Sequence, residues 1–185
     1  MIYFTADTHF CHSNVIRLNN RPFSNIDEMN SRLIQNWNAY VSDRDEIYIL
    51  GDFMYRGSAE QANAILSALR GKKYMVRGNH DKYLDDKRFN LNLFEWVKDY
   101  YELSYEKRKF VLFHYPILEW AGYFRDSVHL YGHVHNSAKD PSQRERLSIL
   151  GESAFNVGVD VNNYFPVEIK TIISHIENSA APPRM

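Results

Sequence analysis

Cysteine is almost absent: Cys11 is the single one among 185 residues. It excludes an internal disulfide framework and a cysteine-rich zinc site. A reducing compartment is the simplest setting for such a chain. An excess of one charge is also missing, since 22 Lys and Arg face 23 Asp and Glu, for a formal net charge of −1. Bulk attraction to a polyanion is therefore not the organising principle, although a local basic patch fits the same sum. No run approaches the roughly 20 apolar residues of a membrane-crossing helix. The opening Met1-Ile2-Tyr3-Phe4-Thr5-Ala6 meets Asp7 at once. It lacks the basic start and the apolar core of about 7–15 residues that mark a secretory signal. Together these absences predict a soluble cytoplasmic protein with no membrane partner.

What is present is ordinary globular material, 44% hydrophobic and 24% charged. A chain this long can bury about 70% of its unfolded surface without covalent staples. There is no internal repeat and no second-domain linker, so one domain is expected over 1–177, with 178–185 a disordered tail.

Hydrophobic spacing gives the elements. Residues 1–6 read as a short apolar strand that ends in a polar loop, Asp7 to Asn14. Ser24 or Asn25 can cap a helix over 26–41 with Ile26, Met29, Leu33, Trp37 and Tyr40 on one face. A strand is expected over 46–50, stopped by Gly51-Asp52. Ser58 and Gln61 form a capping box ahead of Ala62, Ile65, Leu66 and Leu69, and Gly71 closes that helix. Further strands are expected over 73–76, 99–105, 110–113, 128–131 and 155–159, with 89–97 a loop or short helix. Glu106 to Lys109 reads as a solvated hairpin turn, and 137–148 as a polar surface excursion. Pro166 can start a last helix, with Ile169, Ile172, Ile173 and Ile176 inward. Strands alternating with helices, followed by a strand-rich half, predict an α/β layered fold with mixed sheets.

The chemistry lies just past the strand ends. Five of the eight histidines sit there, as do two aspartates and an asparagine: Asp7, His9, Asp52, Asn79, His80, His114, His133 and His135. Open α/β sheets place ligand sites outside the carboxyl ends of strands. Asp7 and His9 are two residues apart, as are His133 and His135, and in extended backbone such pairs point the same way. Gly51, Gly78 and Gly132 directly precede Asp52, Asn79 and His133, and glycine permits the sharp turn that brings backbone close to an ion. Oxygen and imidazole donors without sulfur suit Mn²⁺, Fe or Zn²⁺. There are too many donors for one tetrahedral ion, whereas two ions sharing one carboxylate use them well.

The blocks Asp7-Thr8-His9, Gly51-Asp52, Gly78-Asn79-His80-Asp81, His114 and Gly132-His133-Val134-His135 resemble, in this order, those of the calcineurin-like metallophosphoesterases. The text around them is similar to a small bacterial and phage branch. The resemblance implies a four-layer α-β-β-α sandwich, in which two mixed β-sheets are flanked by helices. It implies a first divalent ion on Asp7, His9 and His135, a second on Asn79, His114 and His133, and Asp52 bridging them. His80 matches the substrate-contacting histidine, a candidate general acid, and Asp81 is placed to orient it. The implied reaction is attack of an activated hydroxide on the phosphorus of a phosphate ester. The chain departs from the family at Tyr55, where an acid often stands before the arginine of the second block.

Other residues are candidates for holding substrate. Arg17, Arg21, Arg56 and Arg125 could grip phosphate, with surface solubility favoured for Arg17. Tyr115 opens an aromatic segment, 115–124, that could stack on a nucleobase, form core wall or pair two copies into a homodimer. His12 is either a rim contact or a loop residue. Cys11 is expected to be small and buried, His129 packed or solvent-facing, and His175 on the surface. A phosphodiester, nucleotide or RNA end is favoured over a phosphomonoester, because the chain has no room for a large cap. The alternatives are a non-enzymatic scaffold with a vestigial metal site and a zinc-dependent amide hydrolase. Complete ligands count against the first; the lack of a His-Glu-x-x-His helix counts against the second.

Overall fold

The computed structural model describes residues 1–135 and 141–179. Chain order is β1 (Ile2–Thr5), α1 (Ser13–Leu18), α2 (Ile26–Tyr40), β2 (Glu46–Leu50), α3 (Ala59–Ala68) and β3 (Lys72–Val76). There follow β4 (Trp96–Lys98), β5 (Tyr100–Tyr105), β6 (Arg108–Phe113), β7 (Val128–Tyr131), α4 (Pro141–Ser148), β8 (Ala154–Asn156), β9 (Val167–Glu168) and α5 (Ile169–Ser179). The strands form two mixed sheets flanked by helices, ordered β4-β3-β2-β1-β9 and β5-β6-β7-β8.

In the first sheet β1, β2, β3 and β4 are parallel, with Thr5 opposite Ile49 and Leu50 opposite Val76. In the second, β5 and β6 form an antiparallel hairpin turned at Glu106 and Lys107, both at positive φ, while β6, β7 and β8 are parallel. The register brings the carboxyl ends of β1, β2 and β3 to one rim.

Burial on both faces explains the unbroken apolar strands. Tyr3, Ile47, Ile49 and Met75 pack with Met29, Leu33, Trp37 and Leu66 of the helices. Phe4, Tyr48, Leu50 and Val76 face Phe110, Leu112 and Leu130 of the other sheet, and Ile169, Ile172 and Ile176 of α5 join that core. The capping box at Ser58 is present: its hydroxyl accepts from the Gln61 amide at 3.2 Å, and the Gln61 side chain accepts from the Ser58 amide at 2.9 Å. Ser58→Ala is expected to cost about 1 kcal/mol and to lower Tm by about 2–4 °C; a thermal melt checks it.

Several local expectations give way. Tyr40 ends the α2 stripe but is 54% exposed, lying against Phe165 at the surface. The loop 7–14 runs into α1, a single short helix whose N-cap His12 makes no capping bond. Pro166 precedes the edge strand β9 rather than a helix, and α5 starts at Ile169, with Ile173 only half-buried. An edge strand tolerates a residue without an amide hydrogen at its start. Strand β8 stops at Asn156, and Val159–Val161 form a 3-10 turn. Residues 141–148 of the expected polar excursion are the helix α4, and 137–140 lie outside the described residues. Helix α5 continues through Ser179; 180–185 also lie outside the described residues. No described helix is long and apolar enough to cross a membrane.

Candidate metal centre

Each donor follows a strand. Asp7 and His9 leave β1, Asp52 leaves β2, Asn79 leaves β3, His114 leaves β6, and His133 and His135 leave β7. Backbone bonds from the Asp7 amide to the Gly51 carbonyl and from the His9 amide to the Asp52 carbonyl, both 3.0 Å, tie the first two exits together. The two sheets are joined across the rim by the Asp7 carboxylate, which accepts the His133 amide at 2.8 and 3.0 Å.

The donors form two groups, Asp7 with His9 and His135, and Asp52 with His114 and His133, each with ligand atoms within 4.8 Å of one another. His9 Nε2 and His135 Nε2 face each other at 3.2 Å. Asp52 Oδ2 lies 3.6 Å from His9 Nε2 in one group and 3.6 Å from His114 Nε2 in the other. Asn79 Oδ1 is 3.1 Å from His114 Nε2. His114 Nδ1 donates to the Leu50 carbonyl at 2.8 Å. His135 Nδ1 lies 2.7 Å from Asp160 Oδ2 and 2.9 Å from Asn19 Nδ2. An anchored Nδ1–H leaves the Nε2 lone pair free, the form a metal-binding imidazole takes.

The electrostatics fit cations at both groups. Burial drives Asp7 up to about 7, although the charges of His135 and His114 and the His133 amide pull the other way. Burial, then the charge of His135, drives His9 down to about 2. Burial also opposes charge on Asp52, yet the bond to and charge of His114 and the His80 amide hold it down to about 2. Burial works against protonating His114 and His135, but the carboxylates beside them, Asp52 and Asp160 foremost, raise both. A fully buried Asp7 and two facing imidazole nitrogens are costly without a positive ion between them. Divalent cations held by oxygen and imidazole would remove that cost.

The backbone differs from the extended form expected for the two-apart pairs. Asp7 (φ 56°), His9 (50°), Asp52 (53°), His133 (70°) and His135 (44°) are all left-handed. Such residues cost of order 1–3 kcal/mol each and gather at functional sites. Gly51 (φ 83°) shares that conformation, whereas Gly78 and Gly132 serve closeness, not turning. A Cβ at Gly78 would stand 2.4 Å from the Asp52 amide nitrogen and from Oδ1, and one at Gly132 would stand 2.6 Å from Asp7 Oδ2.

Around this centre His80 has a half-exposed ring with Nε2 3.9 Å from Asp52 Oδ2. Tyr55 packs edge-on against it at 4.8 Å and stacks on His12 at 4.0 Å, so both rings belong to the rim. Tyr115 Oη donates to Asn79 Oδ1 at 3.3 Å. Arg56 shares a cavity with His80.

Three expectations are corrected. Asp81 does not orient the His80 ring; its buried carboxylate accepts the amides of Gly78, Asp52 and Phe53 at 2.8–2.9 Å and clamps the ends of β2 and β3. Arg125 lines a cavity with Lys109 and Ser127, at the amino ends of β6 and β7. The length of β7, about 13 Å at 3.3 Å per residue, separates it from the His133 rim. Arg21 is buried, with Nε and Nη2 on Asp160 at 2.8 and 2.9 Å, and cannot reach substrate. His129 is fully buried with both ring nitrogens beside carbonyls, His175 is exposed, and Cys11 is only half-buried. Asp160 and Asn19 were missed. The signal for Asp160 was the same as for the ligands, an acid just beyond a strand and a glycine, Gly158-Val159-Asp160.

Comparison with known proteins agrees. An uncharacterized protein of Methanocaldococcus jannaschii, MJ1445, is 38% identical over 180 residues, covering 95% of this chain and 91% of its own. The Gene 66 protein of Mycobacterium phage D29 is 25% identical over 203 residues, covering 95% and 97%. The crystal structure of a protein of unknown function from Aquifex aeolicus, AQ665, superposes with a TM-score of 0.72 at 27% identity, covering 94% of this chain and 98% of its own. The family model for calcineurin-like phosphoesterases matches residues 1–137, the span that holds every donor of the two groups, and the chain belongs to that family.

Proposed function

We propose that the protein is a dinuclear metal-dependent phosphoesterase that favours phosphodiester or nucleotide-type substrates. The observation that carries this reading is Asp52 Oδ2, 3.6 Å from a histidine nitrogen of each donor group. A carboxylate oxygen so placed suits a shared ligand. The first ion would rest on Asp7, His9 and His135, the second on Asn79, His114 and His133.

When bound, the cation pair would supply Lewis acidity toward phosphate oxygens and a water ionised near neutral pH. This chain's own groups do the rest. His133 and His114 are held against Tyr115 and the Leu50 carbonyl, so the second group keeps its shape. Arg56 offers a fork to the non-bridging oxygens. His80 stands at the rim with its ring half in solvent, where it can give a proton to the departing oxygen. Diesters are favoured because the site is open and Tyr115 offers an aromatic wall.

The test is metal content per chain, with turnover of bis(p-nitrophenyl) phosphate and p-nitrophenyl phosphate in Mn²⁺. Two ions and dominant diester turnover are expected; dominant monoester turnover would reverse the substrate order, and stoichiometric metal with no ester hydrolysis would favour a scaffold. His80→Ala is expected to slow esters of poor leaving groups by about 10²–10⁴-fold while sparing activated nitrophenyl esters far more. Equal losses on both would remove the acid role.

A further inference from the structure

Beside His80 a cavity of about 300 Å³ is walled by Tyr55, Arg56, His80, Lys82 and Tyr83, among others. None of its lining residues is acidic. Arg56 and Lys82 are exposed, and neither forms an ion pair among the described residues. The Arg56 guanidinium rests 5.1 Å over the Tyr55 ring. The carboxylates nearby are already engaged: Asp85 by Arg77 at 2.8 Å, Asp86 and Glu60 by Arg88 at 2.7 and 3.2 Å, and Asp81 by three amides. Two cations thus share one wall with no anion of the protein to answer them. Arg56 is accounted for by the scissile phosphate. Lys82 is not, and it lines the same cavity as His80, the group read above as giving a proton to the departing alcohol.

We propose that this cavity is a subsite for a second phosphate, carried by the departing alcohol and held by Lys82. The preferred substrates then bear phosphate on both sides of the departing oxygen: a nucleotide chain with a phosphate beyond the scissile one, or a small sugar bisphosphate. The proposal rests on the dinuclear reading above for the position of the scissile phosphate. In the reaction, water oxygen bonds to phosphorus and the bond to the departing oxygen breaks, its electron pair staying on that oxygen. The proton comes from His80, which is recharged from the attacking water. The second phosphate is unchanged.

The test compares kcat/KM, in Mn²⁺, for thymidylyl-thymidine with and without a phosphate at either end, and for fructose 1,6-bisphosphate against fructose 6-phosphate. A preference of at least tenfold for one phosphate-bearing partner is expected, and which pair shows it identifies the source. Lys82→Glu is expected to abolish that preference, while Lys87→Glu, the same charge change at an exposed position outside the cavity, keeps it. Equal kcat/KM in the unaltered protein, or a preference that survives Lys82→Glu, overturns the subsite. Calorimetric titration of the same pairs into chelator-treated protein separates this from the functional reading. If no ester turns over, that reading falls, and the titration still decides: phosphate-dependent affinity lost in Lys82→Glu sustains the subsite, and equal affinity overturns it.

Discussion

Asp52→Ala is expected to lose metal and turnover together, with bound ions falling from two per chain to one or none and kcat/KM falling by at least about 10³-fold. Partners that merely orient a metal ligand are worth roughly 10–100-fold, and this carboxylate does more. Its Oδ2 stands 3.6 Å from both His9 Nε2 and His114 Nε2, so its removal takes the shared negative charge from both groups at once. Its Oδ1 accepts the His80 amide at 2.9 Å, so the rim histidine loses an anchor as well. The backbone at Asp52 remains held, because the Asp81 carboxylate accepts its amide at 2.8 Å. Asp52→Asn separates shape from charge: it keeps an oxygen in place and removes the anion, and it too should release metal. Elemental analysis of the purified variants, beside turnover and a circular dichroism spectrum, checks this. Two ions retained with turnover lost would deny the bridging role, and full turnover with neither ion present would end the functional reading.

That the centre could be traced in the sequence at all follows from where its donors sit. Strands buried on both faces are continuous apolar runs, so β1, β2, β6 and β7 stand out, and a polar residue at their ends is conspicuous. Convergence of those ends is then a property of parallel register: Thr5 opposite Ile49 and Leu50 opposite Val76 bring Asp7, Asp52 and Asn79 to one rim. What was not legible is whatever depends on the far side of a contact. Arg125 is an arginine near an aromatic segment in the sequence, and only the strand direction shows that it lies at the other end of β7. Arg21 resembles a phosphate-gripping arginine until its partner, 139 residues along the chain, is known. The left-handed backbone at Asp7, His9, Asp52, His133 and His135 is not announced by glycine; Asp and His enter that region more readily than most residues, but the type alone does not say which of them do. Helix α1 is six residues long and lacks a side-chain cap, so neither periodicity nor capping could announce it. Pro166 is compatible with a helix start and with an edge strand alike, and the pairing of Val167 with Phe4 decides between them.

The same buried arginine supplies the largest expected change in stability. Arg21 and Asp160 form an ion pair with side chains 0% and 1% exposed. The guanidinium also donates to the Asp7 carbonyl at 2.7 Å and the Thr8 carbonyl at 2.8 Å, directly beneath the first donor group. Arg21→Met fills much of the volume but leaves Asp160 charged and buried with His135 as its partner, and two carbonyls unpaired. Breaking one side of such a pair costs about 3–5 kcal/mol. For a domain of this size that is a fall in Tm of roughly 6–20 °C. Replacing both partners, Arg21→Met with Asp160→Asn, removes the stranded charge and should cost less than the sum of the two single changes. The pH dependence follows from Asp160. Burial pushes its carboxyl up, but His135 and Arg21 outweigh that and hold it below the usual range. The stability it contributes is present above the ordinary carboxylate pKa and is lost as pH falls through the depressed value. The unaltered protein should therefore lose more stability on acidification than the double variant does. Thermal melts of the three variants at neutral and acidic pH decide the matter. An Arg21→Met protein melting within about 2 °C of the unaltered one, below the cost of any broken buried pair, would show that the ion pair does not hold the floor of the centre in place.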